Sequence, residues 1–205
     1  MAKEKTGKLN ALKRRAILDA ARDVFSSLGM TKATMRLIAE EAGVTTGALY
    51  SMFGGKDEIY AALLEDSLKM LFLYVCEEAM RARTTEKSLS RSIRAFFDYY
   101  AVRPFEAQLG MHSFTEAPHS SLGKERDTAL NEALLATLDV FAEKIGEYAP
   151  HLSPKNIGAE RDAIFCALIG ALTLKASGRD KSIGTNADTI VNSHIENLIY
   201  RLASK

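Results

Sequence analysis

The side chains able to do covalent or metal chemistry are few and scattered along the 205 residues of this sequence. Its four histidines, His112, His119, His151 and His194, stand apart from one another and from the two cysteines, Cys76 and Cys166. There is no HExxH pair, no Cys-His cluster, no nucleophile elbow and no glycine-rich phosphate loop. Nothing sets the ligand spacing a metal needs. The pattern points away from an enzyme, a metal site and a bound cofactor. A different capacity is carried by residues 45–60, TTGALYSMFGGKDEIY, where Tyr50 and Lys56 lie on either side of a double glycine, behind a run of small residues. Such a stretch binds rather than reacts.

The elements that must position it are helices. Apolar spacing is helical almost everywhere, without strict alternation, which predicts an all-α protein. A first helix is expected from Leu9 or Asn10 to Leu28, with Ile17, Ala21, Val24, Phe25 and Leu28 on one stripe and Gly29 placed to end it. Thr34 caps a short second helix that turns Leu37, Ile38 and Ala42 inward, and Thr45 caps a third that reaches about Phe53. Two short helices joined at Gly43 read as a helix-turn-helix: Gly43 takes the left-handed conformation, Val44 fills the angle and Ala39 permits a close crossing. The second of the pair would enter the major groove amino end first. There Thr45, Thr46, Gly47 and Ala48 are small enough to bring the backbone near DNA.

Longer helices are expected at 56–81, 86–102, 104–117, 121–148, 154–177 and 186–203. Ser153-Pro154 reads as a cap with a first-turn proline, and residues 185–188 read as a capping box. GRDKSIGTN, at 178–186, reads as a flexible connection. A boundary near residue 55 divides a small head, 1–55, from a larger body, 56–205.

The net charge of +1 hides an uneven distribution: residues 1–36 hold nine Lys or Arg against three acids, whereas residues 61–205 hold 17 basic and 19 acidic side chains. Lys3, Lys5 and Lys8 read as a loose basic arm, and Arg36 is within reach of a phosphate or a groove edge. No run approaches the ~18 apolar residues of a membrane span, and the start lacks the apolar centre of a signal peptide. The isolated cysteines suit a reducing compartment. A cytoplasmic protein without a membrane partner is expected.

The stretch TMRLIAEEAGVTTGALYSMFGGKDEIYAALLE resembles the DNA-binding signature of the TetR family of bacterial transcriptional regulators, and the likeness covers about residues 10–64. It implies an all-helical homodimer with a three-helix head and a divergent ligand-binding and dimerisation body. It also implies repression at a palindromic operator, relieved by a small molecule. By the same resemblance Tyr50 and Lys56 hold phosphates, Thr34 and Thr45 assist at helix amino ends, and Thr46 and Gly47 approach bases. A phenolic hydroxyl and an ammonium suit contacts that position the protein without reading sequence. The candidate DNA surface is Thr34, Arg36, Thr45, Thr46, Gly47, Ala48, Tyr50, Ser51 and Lys56. Aromatic and basic residues do not interleave, so double-stranded operator DNA is the expected partner. The chain departs from the family pattern at Ser51-Met52 and Gly54-Gly55, which leaves its base preference open.

In the body, Ala163, Ala167, Gly170 and Ala171 are small residues that permit close helix approach. With Ile195 and Leu198 of the last helix they form the candidate dimer interface, since the resemblance implies a four-helix interface built from the last two helices. Phe72, Phe97, Tyr100, Met111, His112, Phe114 and Phe141 are the candidate ligand-binding residues, because an apolar pocket with a few polar groups suits a small molecule. The charges among them, Asp98, Arg103 and Glu106, fall where a helix exposes them. The expected effector is therefore uncharged or weakly polar and largely apolar or aromatic. The alternative is a DNA-binding regulator controlled by a partner protein without a small-molecule ligand.

Overall fold

The computed structural model describes residues 2–115 and 124–203, with side chains over 7–112 and 125–203. Among them every regular element is a helix: α1 (Ala2–Lys32), α2 (Met35–Glu41), α3 (Thr46–Tyr50), α4 (Lys56–Met80), α5 (Thr85–Ala101), α6 (Pro104–Thr115), α7 (Lys124–Tyr148), α8 (Pro154–Ala176), α9 (Arg179–Ser182) and α10 (Ala187–Ala203). The all-α expectation holds. Two compact units are present, Met1–Asp66 with Ala117–Asp127 and Ser67–Glu116 with Thr128–Lys205, and α4 contributes to both. No helix of the described residues is long and apolar enough to cross a membrane.

In the first unit the apolar stripe of α1 meets α2, and α2 in turn packs against α3. Ile17, Ala21, Phe25, Ile38, Leu49 and Phe53 are all buried. One feature of α1 differs from expectation. The helix begins at Ala2, so Lys3, Lys5 and Lys8 belong to it rather than to a loose arm. The reason is local: Ala, Lys and Glu dominate this segment, all favour helix, and no proline interrupts them. At the other end Gly29 (φ 76°, ψ 162°) leaves the helical conformation and interrupts the helix where expected, and a separate turn beyond the kink reaches Lys32. Helix α3 is shorter than expected and ends at Tyr50, although the Phe53 amide still bonds the Leu49 carbonyl at 3.0 Å.

In the second unit α5 packs against α6, α8 and α10. Its amino end is fixed by local chemistry, for the Thr84 hydroxyl accepts the Lys87 amide at 3.2 Å. Ser153 caps α8 as expected, accepting the Asn156 amide at 3.3 Å with Pro154 in the first turn.

Residues 178–186 are a correction. Where a flexible connection is expected, they contain the short helix α9 and are organised around the buried Asp180. Its carboxylate accepts the amides of Lys181 (2.9 Å) and Ala187 (3.4 Å), while its carbonyl accepts that of Thr185 at 2.8 Å. Asn186, not Thr185, caps α10, taking the amides of Asp188 (2.8 Å) and Thr189 (3.2 Å). Asp188 is thereby free to accept from Lys175 of α8 and Arg94 of α5, both at 2.6 Å. Arg94 also reaches Asp98 and Asn192, each at 2.9 Å.

Removing the Asp180 carboxylate by Asp180→Ala leaves the Lys181 and Ala187 amides unpaired. It should cost about 1–3 kcal/mol in urea unfolding; an unchanged midpoint would contradict this role. The Asp188 carboxyl is held below its ordinary pKa by the Lys175 hydrogen bond, against the opposing effect of burial, and further by Arg94. A depressed folded pKa gives stability that is present above the ordinary carboxylate value and is lost as pH falls through the folded one. Asp188→Asn should therefore flatten that acid limb of the stability curve, measured by melting between about pH 2 and 6.

Candidate nucleic-acid interface

The head surface is built from two caps, one turn and one plug. Thr34 and Thr45 both have extended backbones, and their hydroxyls accept the amides of Leu37 (3.3 Å) and Ala48 (3.2 Å). Each satisfies an amide that a helix start leaves unpaired. Between the helices Gly43 adopts φ 64°, where a Cβ would be strained. That conformation lets the Gly43 amide reach Glu40 at 3.1 Å and the Val44 amide reach Ala39 at 2.9 Å, closing the turn. Leu49 is the plug, with 0% exposure.

With Leu49 turned in, Thr45, Thr46, Gly47, Ala48 and Tyr50 are all exposed, Tyr50 by 53%. Ser51 is exposed too, but its hydroxyl donates to the Ala48 carbonyl at 2.7 Å. Arg36 is exposed on α2.

Lys56 is placed less simply. Its ammonium donates to the Met30 carbonyl at 2.7 Å, tying the start of α4 to the bend in α1. Two of its three donors remain for a phosphate. Next to it, Glu58 accepts the Gly54 amide at 2.6 Å and the Arg126 guanidinium at 2.9 Å. These bonds, Gly54 first and then Arg126, hold its carboxyl below the ordinary range. A Cβ on Gly54 would lie 3.1 Å from the Glu58 carboxylate, so the double glycine leaves room for this cap. The legible signal for it was an acid at the third position of α4. Arg14 stacks over Phe53 at 4.5 Å, which adds a basic group beside the base of α3.

The ligand candidates are only partly brought together. Phe96, Tyr100, Phe141 and Phe165 form one aromatic cluster, with ring separations from Phe96 of 5.4, 6.0 and 6.1 Å. Phe96 and Phe165 join the cluster although neither is among the candidate ligand-binding residues, since an aromatic on a helix reads as core until its partners are known. The Met111 sulfur lies 3.7 Å from the Thr173 hydroxyl oxygen, and His112 and Phe72 are half-buried. Phe97 lies apart from the cluster, under the Arg94 and Lys175 cations at 5.1 and 5.6 Å. Adjacent helical residues point about 100° apart, so Phe96 and Phe97 serve different faces of α5. The Phe114 side chain lies outside the described residues. Of the dimer candidates, Ala171, Ile195 and Leu198 are buried within the protomer, Ala167 is half-buried, and Ala163 and Gly170 are exposed.

Residues 17–63 match the family model described as bacterial regulatory proteins, tetR family. The HTH-type transcriptional regulator SrpR of Pseudomonas putida is 49% identical over 51 residues, 25% of this chain and 24% of SrpR, so the chain spans about a quarter of that relative's length. Over 190 residues, 91% of this chain and 94% of the other, it is 24% identical to the HTH-type transcriptional regulator BetI of Escherichia coli. Among solved structures, the transcriptional regulator FadR of Bacillus subtilis in complex with stearoyl-CoA superposes with a TM-score of 0.71 at 20% identity, covering 90% and 97% of the two chains. The fold is shared, and the segment that carries the helix-turn-helix, residues 17–63, is the segment that matches the TetR family of bacterial transcriptional regulators in sequence.

Proposed function

We propose that this regulator is a ligand-responsive repressor that binds a palindromic operator as a homodimer and is released by a small, neutral, largely apolar or aromatic effector. The observation that carries the DNA part is the sorting of α3, in which Leu49 is buried while Thr45 to Ala48 and Tyr50 face outward. Residues 1–55 act as the DNA-binding head and 56–205 as the ligand-binding and dimerisation body, in the cytoplasm where the operator is met. The protein acts by binding rather than by catalysis.

The charge pattern of the body supports a neutral effector. Among the described residues of α5, α7 and α8, Arg94, Lys144, Arg161 and Lys175 are partly buried, and each is paired with one or more carboxylates. An anion would have to compete for a cation already committed. The stearoyl-CoA bound by the similar Bacillus subtilis FadR carries a long apolar chain, which supports an apolar site in this body as well. Release requires the effector to favour the conformation that does not fit the operator, with a coupling of about 1–3 kcal/mol. Helix α4 is the covalent path, since it contributes to both units.

Tyr50→Phe and Lys56→Ala should each weaken operator binding whatever the operator sequence, and Lys56→Ala should lower the salt slope by about one. Substituting Thr46 should instead change sequence preference. Titrations at several salt concentrations decide, and unchanged affinity in both phosphate variants contradicts the assignment. Gly170→Leu should yield monomers in sedimentation while leaving the fold intact, since a Cβ there meets nothing within 4 Å in the protomer. The two recognition helices of the dimer should sit about one duplex turn, ~34–36 Å, or somewhat more apart. A wild-type monomer at micromolar concentration would overturn the dimer.

A further inference from the structure

Two buried side-chain polar atoms among the described residues lack a hydrogen-bond partner: Thr137 Oγ1 on α7 and His194 Nε2 on α10. The histidine limits its cost by staying neutral, and burial does push its pKa down. A hydroxyl has no such exit, and Thr137 is 0% exposed. Helical threonines commonly spend the hydroxyl on a carbonyl one turn back. Thr173 of α8 does this, donating to Ile169 at 2.8 Å, and Thr137 does not. A buried polar atom left unpaired calls for an explanation, because burial removes its water without compensation.

The position of Thr137 supplies one. It precedes Phe141 by one helical turn, so the two side chains leave the same face of α7. Phe141 is fully buried against Phe96, which also holds Tyr100 and Phe165. The unspent hydroxyl thus lies one turn from the aromatic cluster of the body. Ligand sites have this composition: apolar walls and a few polar groups that fix orientation.

We propose that Thr137 is the polar anchor of the body's ligand site, hydrogen bonding one neutral hydroxyl or carbonyl oxygen on an otherwise apolar or aromatic effector. The assignment rests on the ligand-responsive reading above and narrows it. A pure hydrocarbon leaves the hydroxyl unpaired, and an anion finds Arg94 of α5 and Lys175 of α8 already bound to Asp188.

Calorimetric titration of the full chain with naphthalene, 1-naphthol and 1-acetylnaphthalene tests it in wild type, T137S and T137V. Wild type and T137S should bind at least one oxygenated probe about tenfold more tightly than naphthalene. T137V should bind all three alike, and should melt no lower than wild type because it loses an unpaired hydroxyl. An identical preference in all three proteins overturns the anchor while leaving the aromatic-effector reading in place. Failure of every probe to bind wild type overturns both. A T137V chain that melts lower and binds nothing makes the hydroxyl a structural group and also overturns the anchor.

Discussion

A helix of five residues cannot sustain itself in water, because nucleation fixes more backbone freedom than so few hydrogen bonds return. Helix α3 exists because Leu49 is drawn completely into the core formed with Ile38 and Phe53. Everything on the candidate DNA surface depends on that burial, since it decides which way Thr45 to Tyr50 face. The closing bonds are short-range and cooperative: Gly43 turns the chain, Thr45 caps it, and the Phe53 amide continues the curl past the helix end. Lys56 and Glu58 then hold the chain that follows, one through the Met30 carbonyl and the other through the Gly54 amide.

That economy has a consequence for recognition. The Thr45 hydroxyl is spent on a cap and the Ser51 hydroxyl on a carbonyl, so neither side chain is an idle reader of base edges. What remains outward near the amino end of α3 is the Thr46 side chain, the bare Gly47 backbone and the Ala48 methyl. Such a surface suits close approach and apolar contact with thymine methyl groups better than bidentate hydrogen bonding. On the proposed reading, sequence preference then leans on groove shape and DNA deformability, with Tyr50 and Lys56 setting register on the phosphates.

The head was legible because its signals are local. Thr34, Gly43, Val44 and Thr45 announce caps and a turn within a dozen residues, and the apolar spacing of α1 needs no partner to be recognised. What escaped depends on groups distant in sequence. Nothing near Lys56 points to the Met30 carbonyl, and nothing in GRDKSIGTN says that Asp180 turns inward to organise the loop. Phe97 belongs to the Arg94 and Lys175 side of α5 only because α8 and α10 pack there. The unpaired state of Thr137 is likewise invisible until α7 is placed against its neighbours. Small residues on α8 read as a close-approach surface. Within the protomer, however, Ala171 faces inward and Gly170 outward, a division that periodicity alone did not assign.

The central claim is that the exposed face of α3 directs this chain to particular duplex sites. The most direct measurement is to sequence genomic fragments retained by the full chain at near-physiological salt. The account predicts a small set of fragments sharing an inverted repeat whose half-sites are separated by about one duplex turn. Retention of fragments with no common sequence, or of none above background, would contradict it.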